Sequence, residues 1–390
     1  MKHLLMDNNI TKEDNIKVIQ FLKKNPRLTN GPQVEKFEKE WSKWLGVKYS
    51  IFVNSGSAAN LASMAYLRTQ FKDGEIIVPP ITWVSDVLSV FYANFKPVFV
   101  DINLENLAMN EHLIEKAINK KTRAIFLTHV LGLNGLTDKI LKIVKKNKIL
   151  LIEDVCESHG ATYKSKKLGS YGDISNFSFY FAHHMSTIEG GMVCTNNRRI
   201  YETMRIIRGH GMLRESKDHN FKKKIIQKYK LLNKDFLFIY PGYNLRSTEI
   251  NAVYGLNQIK RLDKNNEKRK RNFFAFLDKL DKKKYYTNFK IEGSCNYALL
   301  VVFNKKYQNL KFRNKFENEL NKYKIEFRRG LAGGGDQTLQ PYAKYFEKKI
   351  KKVGKFETTT SLHKFAYYIG NYPSLKIEKI NKICAILNSI

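Results

Sequence analysis

Short apolar runs alternate with longer amphipathic stretches through the first half of the chain. Tyr49–Val53, Glu75–Val78, Lys96–Val100, Ala124–Thr128 and Ile149–Glu153 are runs rich in aliphatic and aromatic side chains, and each predicts a strand. Helical patterning fills the intervals, from Asn54 through Tyr66, over Thr82–Tyr92 and over Asp138–Lys146. Alternation of this kind predicts parallel strands with helices on both faces of the sheet. In such sheets ligands collect at the carboxyl ends of the strands, where Asn54 to Ser57, Asp101 and Asp154 all stand. From Ser247 a helical pattern runs to Arg261 and continues in charged form to about Arg271. A β-rich run, Tyr297–Phe303, and an amphipathic stretch, Asn309–Lys322, follow it. The change predicts a large domain over residues 1–250 and a smaller α+β domain over residues 251–390 that includes the bridging helix.

Composition narrows this picture. The 390 residues are 43% hydrophobic and 27% charged, ordinary values for a globular protein large enough for two domains. No apolar run reaches the ~18 residues of a membrane span, and the stretch from Met1 and Lys2 lacks a signal-like apolar block. A cytoplasmic protein without a membrane partner is expected. Lys and Arg number 69 against 36 Asp and Glu, a formal net charge of +33. Such an excess suits either a nucleic-acid partner or many solvated lysines. It is spread through stretches such as Lys142–Lys148 and Lys222–Lys224 without a nucleic-acid signature, so solvated lysines are the favoured reading. Cys156, Cys194, Cys295 and Cys384 lie far apart with no C-x-x-C pair, so no metal site is expected.

Three segments carry candidate chemistry. Ser55-Gly56-Ser57-Ala58 joins a strand to a helix, where small residues let backbone amides approach an anion, although a plain N-cap uses the same residues. Asp154 ends an apolar strand, where an unpartnered carboxylate is costly. It serves either to keep a pyridinium nitrogen protonated or to make a structural hydrogen bond. Trp83, after Pro79-Pro80, stacks on a ligand ring or fills core.

The segment from Asn176 to Gly191, with Phe179-Tyr180-Phe181-Ala182-His183-His184 leading to Glu189-Gly190-Gly191, resembles the active-site stretch of the DegT-type sugar aminotransferases. In that family a lysine six residues before the Glu-Gly-Gly turn binds pyridoxal phosphate covalently, and here that position is His183. Gly31 to Glu38, Asn54 to Ala58, Pro79 to Trp83, Glu153 to Gly160 and Gly242 to Glu249 resemble further family segments in the family's order. A His-His pair before Glu-Gly-Gly is similar to the family's nucleotide-sugar 3-dehydratases. Glu326 to Gly334 resembles their substrate loop, with Arg329 where proline is usual.

The resemblance implies an aspartate-aminotransferase-type α/β fold (fold type I), with a mixed, mostly parallel sheet in the large domain. It implies a homodimer with shared active sites. It also implies pyridoxal 5'-phosphate and pyridoxamine 5'-phosphate as cofactor forms, L-glutamate as amino donor, and a nucleotide-linked 4-keto-6-deoxy sugar, GDP-linked by expectation, as substrate. Asp154 falls to the pyridinium nitrogen, Trp83 to the ring face and Glu157 to the ring hydroxyl. Ser178, Gly56, Ser57 and the partner chain's copy of Asn244 fall to the phosphate. His183 becomes the acid and base, since an imidazole forms no lasting imine but exchanges protons near neutral pH. Arg328, Arg246 and His210 are further candidates for substrate contacts. The alternatives are a CDP-sugar 3-dehydratase with an iron–sulfur cluster, against which the scattered cysteines argue, a true aminotransferase, which the missing lysine disfavours, and a basic nucleic-acid-binding protein on this fold.

Overall fold

Alternate side chains of each strand leave to opposite faces, so a strand covered by helices on both sides must be apolar throughout. The computed structural model, which describes residues 2–390 apart from the side chains of residues 347–349, shows this pattern. The large sheet contains β1 (Tyr49–Val53), β2 (Glu75–Val78), β3 (Lys96–Val100), β4 (Thr122–Thr128), β5 (Leu150–Asp154), β6 (Ile174–Ser178) and β7 (Gly191–Thr195). On one face Ile76, Val78, Phe126 and Ile152 join a core closed by the helices Gly56–Gln70, Val84–Tyr92 and Arg198–Arg208. On the other, Ile77, Ile125, Leu127 and Leu151 join a larger core that holds Phe37 and Trp41.

The smaller sheet is antiparallel, with β8 (Ala298–Val302) and β9 (Phe327–Arg329) flanking β11 (Ala366–Gly370). Between β9 and β11 the chain returns to the large sheet as β10 (Lys351–Val353), parallel to β3 and in register from Lys351 opposite Val98. The order of the large sheet is thus β1-β7-β6-β5-β4-β2-β3-β10. Only β7 runs against its neighbours, antiparallel to both β1 and β6. The sheet is mixed and mostly parallel, as expected, but a division at residue 250 does not divide the sheets, because residues 351–353 edge the large one. Among the described residues no helix is long and apolar enough to cross a membrane.

Two helices set the site. Pro32–Leu45 starts with proline in its first turn, and Glu249 accepts the amides of Gln33 and Val34 at 3.0 and 2.9 Å. Glu249 also begins the 31-residue helix Glu249–Lys279, so one carboxylate ties two helix starts together. The helices lie so close that a Cβ on Gly255 would sit 2.5 Å from the Phe37 ring. Trp41, fully buried, meets the rings of Phe37, Trp44, Phe177, Phe179 and His159. The long helix also clamps the turn between β6 and β7. Asn251 Nδ2 donates to the carbonyls of Thr187 and Glu189, Gln258 pairs both ways with the Ser186 backbone, and Arg269 reaches the His183 carbonyl at 3.5 Å. Spacings of seven and eleven residues put these three on one helical face.

Candidate active site

The carboxyl ends of β1, β2, β4, β5 and β6 open onto a cavity of about 620 Å³. Eight of the residues singled out in the sequence line it: Gly56, Ser57, Trp83, Asp154, Glu157, Ser178, His183 and Arg328. Trp83 is 56% exposed and precedes the helix Val84–Tyr92, so it fills no core and lines the cavity instead. The helix Gly56–Gln70, capped by Ser55 through the Ala58 amide at 3.0 Å, brings its start hard against β6. A Cβ on Gly56 would stand 2.6 Å from Ser178 Cβ, so only glycine lets the helix start come this near the Ser178 hydroxyl. The first amides of a helix have no intrahelical acceptor, and with the serine hydroxyls they suit a phosphate. A cradle for an anion, an exposed aromatic face and a strand-end carboxylate fit pyridoxal phosphate.

One wall is acidic. Asp154 accepts the Cys156 amide at 2.9 Å and Asn60 Nδ2 at 3.1 Å. The same Asn60 nitrogen donates to Asp86 at 2.7 Å, while Asn60 Oδ1 accepts from Asn176 at 2.8 Å. Asp86 lies fully buried in the first turn of its helix. A helix start favours a carboxylate by at most ~2 kcal/mol, whereas burial of an ion costs several. Burial first, then the charge of Asp154, holds Asp86 well above the usual carboxylate range. Burial also raises Glu157 to about 7, with the nearby Asp154 adding to it against the Leu131 amide, which Glu157 accepts at 2.9 Å.

The opposite wall is basic. His183 lines the cavity, its carbonyl held by Asn9 at 2.5 Å and by Arg269. Its Nδ1 is buried without a hydrogen-bond partner among the described residues. Burial, with the charge of Arg269 second, lowers His183 to about 3, so the imidazole is neutral. Behind it, His159 and His184 stack with ring centroids 5.2 Å apart, both lowered by burial. His184 bonds the Cys295 carbonyl at 3.0 Å and does not line the cavity, so only the first histidine of the pair faces it. Tyr297 completes this wall, 5.4 Å from His183 between ring centroids. Arg269, 2% exposed, is held by the carbonyls of Tyr297 and Asn371 rather than by a carboxylate.

Three expected residues lie outside the cavity of their own chain. Asn244 and His210 are exposed, on strands of backbone joined where the His210 amide donates to Tyr243 at 2.8 Å. Arg246 is paired with Glu215 at 2.7 Å. Sequence reasoning passed over Asn60 and Asp86, polar breaks in apolar helical stretches that are costly without a partner, and Arg269, which shares its helix face with Asn251 and Gln258 and so gives no such signal.

The profile of the DegT/DnrJ/EryC1/StrS aminotransferase family matches residues 8–388. GDP-4-keto-6-deoxy-D-mannose 3-dehydratase of Escherichia coli O55:H7 is 30% identical over 376 residues, covering 95% of this chain and 96% of that one. A solved GDP-4-keto-6-deoxymannose-3-dehydratase, a His-to-Asn variant with bound GDP-perosamine, is similar with a TM-score of 0.89 at 27% identity, covering 99% of this chain and 100% of that one. Another structure of an enzyme of that name, with a trapped PLP-glutamate geminal diamine, gives a TM-score of 0.88 at 26% identity, with coverage of 99% and 100%.

Proposed function

The chain belongs to the DegT/DnrJ/EryC1/StrS aminotransferase family, and from that premise we propose that it is a pyridoxal-phosphate-dependent 3-dehydratase of a GDP-linked 4-keto-6-deoxy sugar, with L-glutamate as amino donor. Its fold is the aspartate-aminotransferase type, fold type I. The observation that carries the reading is the composition of the cavity wall. His183 lines it and, among the described residues, no lysine does. An aminotransferase of this family requires that lysine.

When bound, the cofactor supplies an electron sink and, in its pyridoxamine form, the nitrogen donated by glutamate. Asp154 serves the ring nitrogen, Trp83 the ring face and Glu157 the ring hydroxyl, while Gly56, Ser57 and Ser178 serve the phosphate. His183, neutral near pH 7, accepts a proton at its ring nitrogen. Burial makes it hold that proton weakly, so it hands the proton on to the hydroxyl leaving the sugar C3. An anionic ligand in the cavity raises its basicity, because opposite charge favours the imidazolium. Tyr297 and the carbonyl clamp of Arg269 keep the ring turned to the cavity. Arg328, exposed at the cavity rim with no carboxylate partner among the described residues, takes the substrate diphosphate. Glutamate and the keto sugar give 2-oxoglutarate, ammonia and the 3-deoxy-4-keto sugar.

Asn244 reaches the site of a partner copy in a homodimer, with His210 and Arg246 beside it. The exposed Leu231, Leu232, Phe236 and Phe238 nearby in the chain support a covered surface there. The reaction is placed in the cytoplasm. Mass spectrometry of a mixture of protein, pyridoxal phosphate, L-glutamate and GDP-4-keto-6-deoxy-D-mannose tests the reading. A sugar product lighter by one oxygen, formed together with 2-oxoglutarate and ammonia, is expected. An amino sugar would instead make the protein an aminotransferase.

A further inference from the structure

The acidic wall contains a proton inventory. Asp86 Oδ2 is hydrogen-bonded to the hydroxyls of Thr82 and Thr128, the latter at 2.7 Å, and those two hydroxyls stand 3.0 Å apart. Three oxygens thus form three mutual contacts, and each contact needs one proton between its atoms. Two threonine hydroxyls supply two. If Asp86 were ionised, both hydroxyls would point at it and the Thr82–Thr128 contact would set lone pair against lone pair. A carboxylic acid supplies the third proton and closes the ring, with Asp86 donating to one threonine, that threonine to the other, and the second back to Asp86.

The surroundings agree. Thr82, Asp86 and Thr128 are all buried. The groups facing Asp86 are the Asn60 amide, the Asp154 carboxyl, the Cys156 thiol and the Tyr342 hydroxyl, and no basic side chain pairs with it among the described residues. Two carboxyl groups sharing one amide do not both ionise readily in a dry site.

We infer that Asp86 is a protonated carboxylic acid that acts as a positioning residue, holding Asn60 and through it Asp154, so that the single negative charge of the pair rests on Asp154. Its role toward the cofactor ring rests on the dehydratase reading; its protonation does not. An ionised Asp86 would divide the attraction for a ring proton between two carboxylates that both line the cavity. A neutral one leaves the charge at the strand end that faces the cavity.

Infrared difference spectra of the full-length, cofactor-free protein, wild type minus Asp86→Asn, test the proton directly. At about pH 9 Glu157, which titrates near 7, is ionised. A carboxylic-acid carbonyl band that persists there, shifts in heavy water and vanishes in Asp86→Asn is the expected result. Loss of carboxylate bands instead overturns the proposal, whatever the substrate. Should Asp86→Asn fail to fold, the wild type and Glu157→Gln are compared at the same pH. The acid band in both supports the proposal, and its absence from both overturns it.

The positioning role is read with pyridoxal phosphate added, from the pH midpoint of its absorbance. Asp86→Asn is expected to keep the wild-type midpoint, and Asp86→Ala to weaken cofactor binding roughly fivefold by stripping Asn60 of a partner. A midpoint lowered by about one unit or more in Asp86→Asn marks the loss of a negative charge and overturns the proposal. Failure of the wild type to bind the cofactor overturns the dehydratase reading and the positioning role together, while the infrared result still decides the proton.

Discussion

The two walls of the cavity solve the problem of buried polarity in opposite ways. On the acidic side, Asn60, Asp86, Asp154, Thr82 and Thr128 form a closed network in which each side chain meets another. On the basic side, His183 Nδ1, His184 Nδ1, both ring nitrogens of His159 and Arg269 Nε are buried without hydrogen-bond partners among the described residues. A saturated network is rigid and its protons are committed. An unsaturated one stores unfavourable desolvation, yet its imidazole nitrogens are free to take and give protons. The first wall suits holding a cofactor, and the second suits moving a proton past it.

Substitutions on each side sharpen the contrast. The largest effect is expected from His183→Asn, which leaves the acidic wall intact and removes the proposed proton carrier. Product formation should fall by roughly 10²–10⁴-fold, with the absorbance of bound pyridoxal phosphate retained; full turnover would shift the proton transfer to another residue. Next comes Trp41→Ala, which empties the aromatic packing behind His159. It should cost about 3–5 kcal/mol in urea unfolding, and a loss below 1 kcal/mol would show that the basic wall needs no such backing. Asn60→Ala opens the saturated wall and takes one donor from each of two carboxyls, for which a loss of about 1–3 kcal/mol is expected, together with weaker cofactor binding. A neutral outcome in both measurements would mean that the network is not shared.

The smallest effect is a pH slope. His183 in the folded protein lies near 3, below its unfolded value of 6.5, and His159 and His184 are lowered as well. A lowered value favours the neutral ring in the fold, so this contribution is fully present above pH 6.5 and is lost as pH falls toward 3. The acid side of the Tm profile should therefore be shallower in His183→Asn, by roughly 2 °C for each pH unit below 6.5. Parallel profiles would show that His183 does not sense folding.

Much of this was legible in the sequence for a physical reason. Strands covered on both faces read as apolar runs, and the small residues at Ser55–Ala58 and the carboxylate at Asp154 stand out because they break those runs at their ends. The antiparallel insertion of β7 was not legible, since a fully buried strand reads alike in either direction. β10 was hidden because its sequence, Lys351-Lys352-Val353, is mostly lysine and reads as solvated surface. Asn244, His210 and Arg246 read as site residues through family resemblance, yet their chain's own cavity does not include them. Asp86 and Asn60 were available as polar breaks in apolar helices, but their meaning lies in contacts between residues 26 and 94 positions apart.

The return of residues 351–353 to the large sheet governs how the molecule can be taken apart. β3, with the sequence Lys96-Pro97-Val98-Phe99-Val100, would be an edge strand without β10. A fragment ending at residue 250 would carry that apolar ribbon bare along one side, a template for pairing with other copies. Truncation at the apparent domain boundary should thus yield material that associates edge to edge, and adding back the C-terminal piece should suppress it by capping the ribbon. The line along which the chain divides in sequence is not the line along which it can be cut.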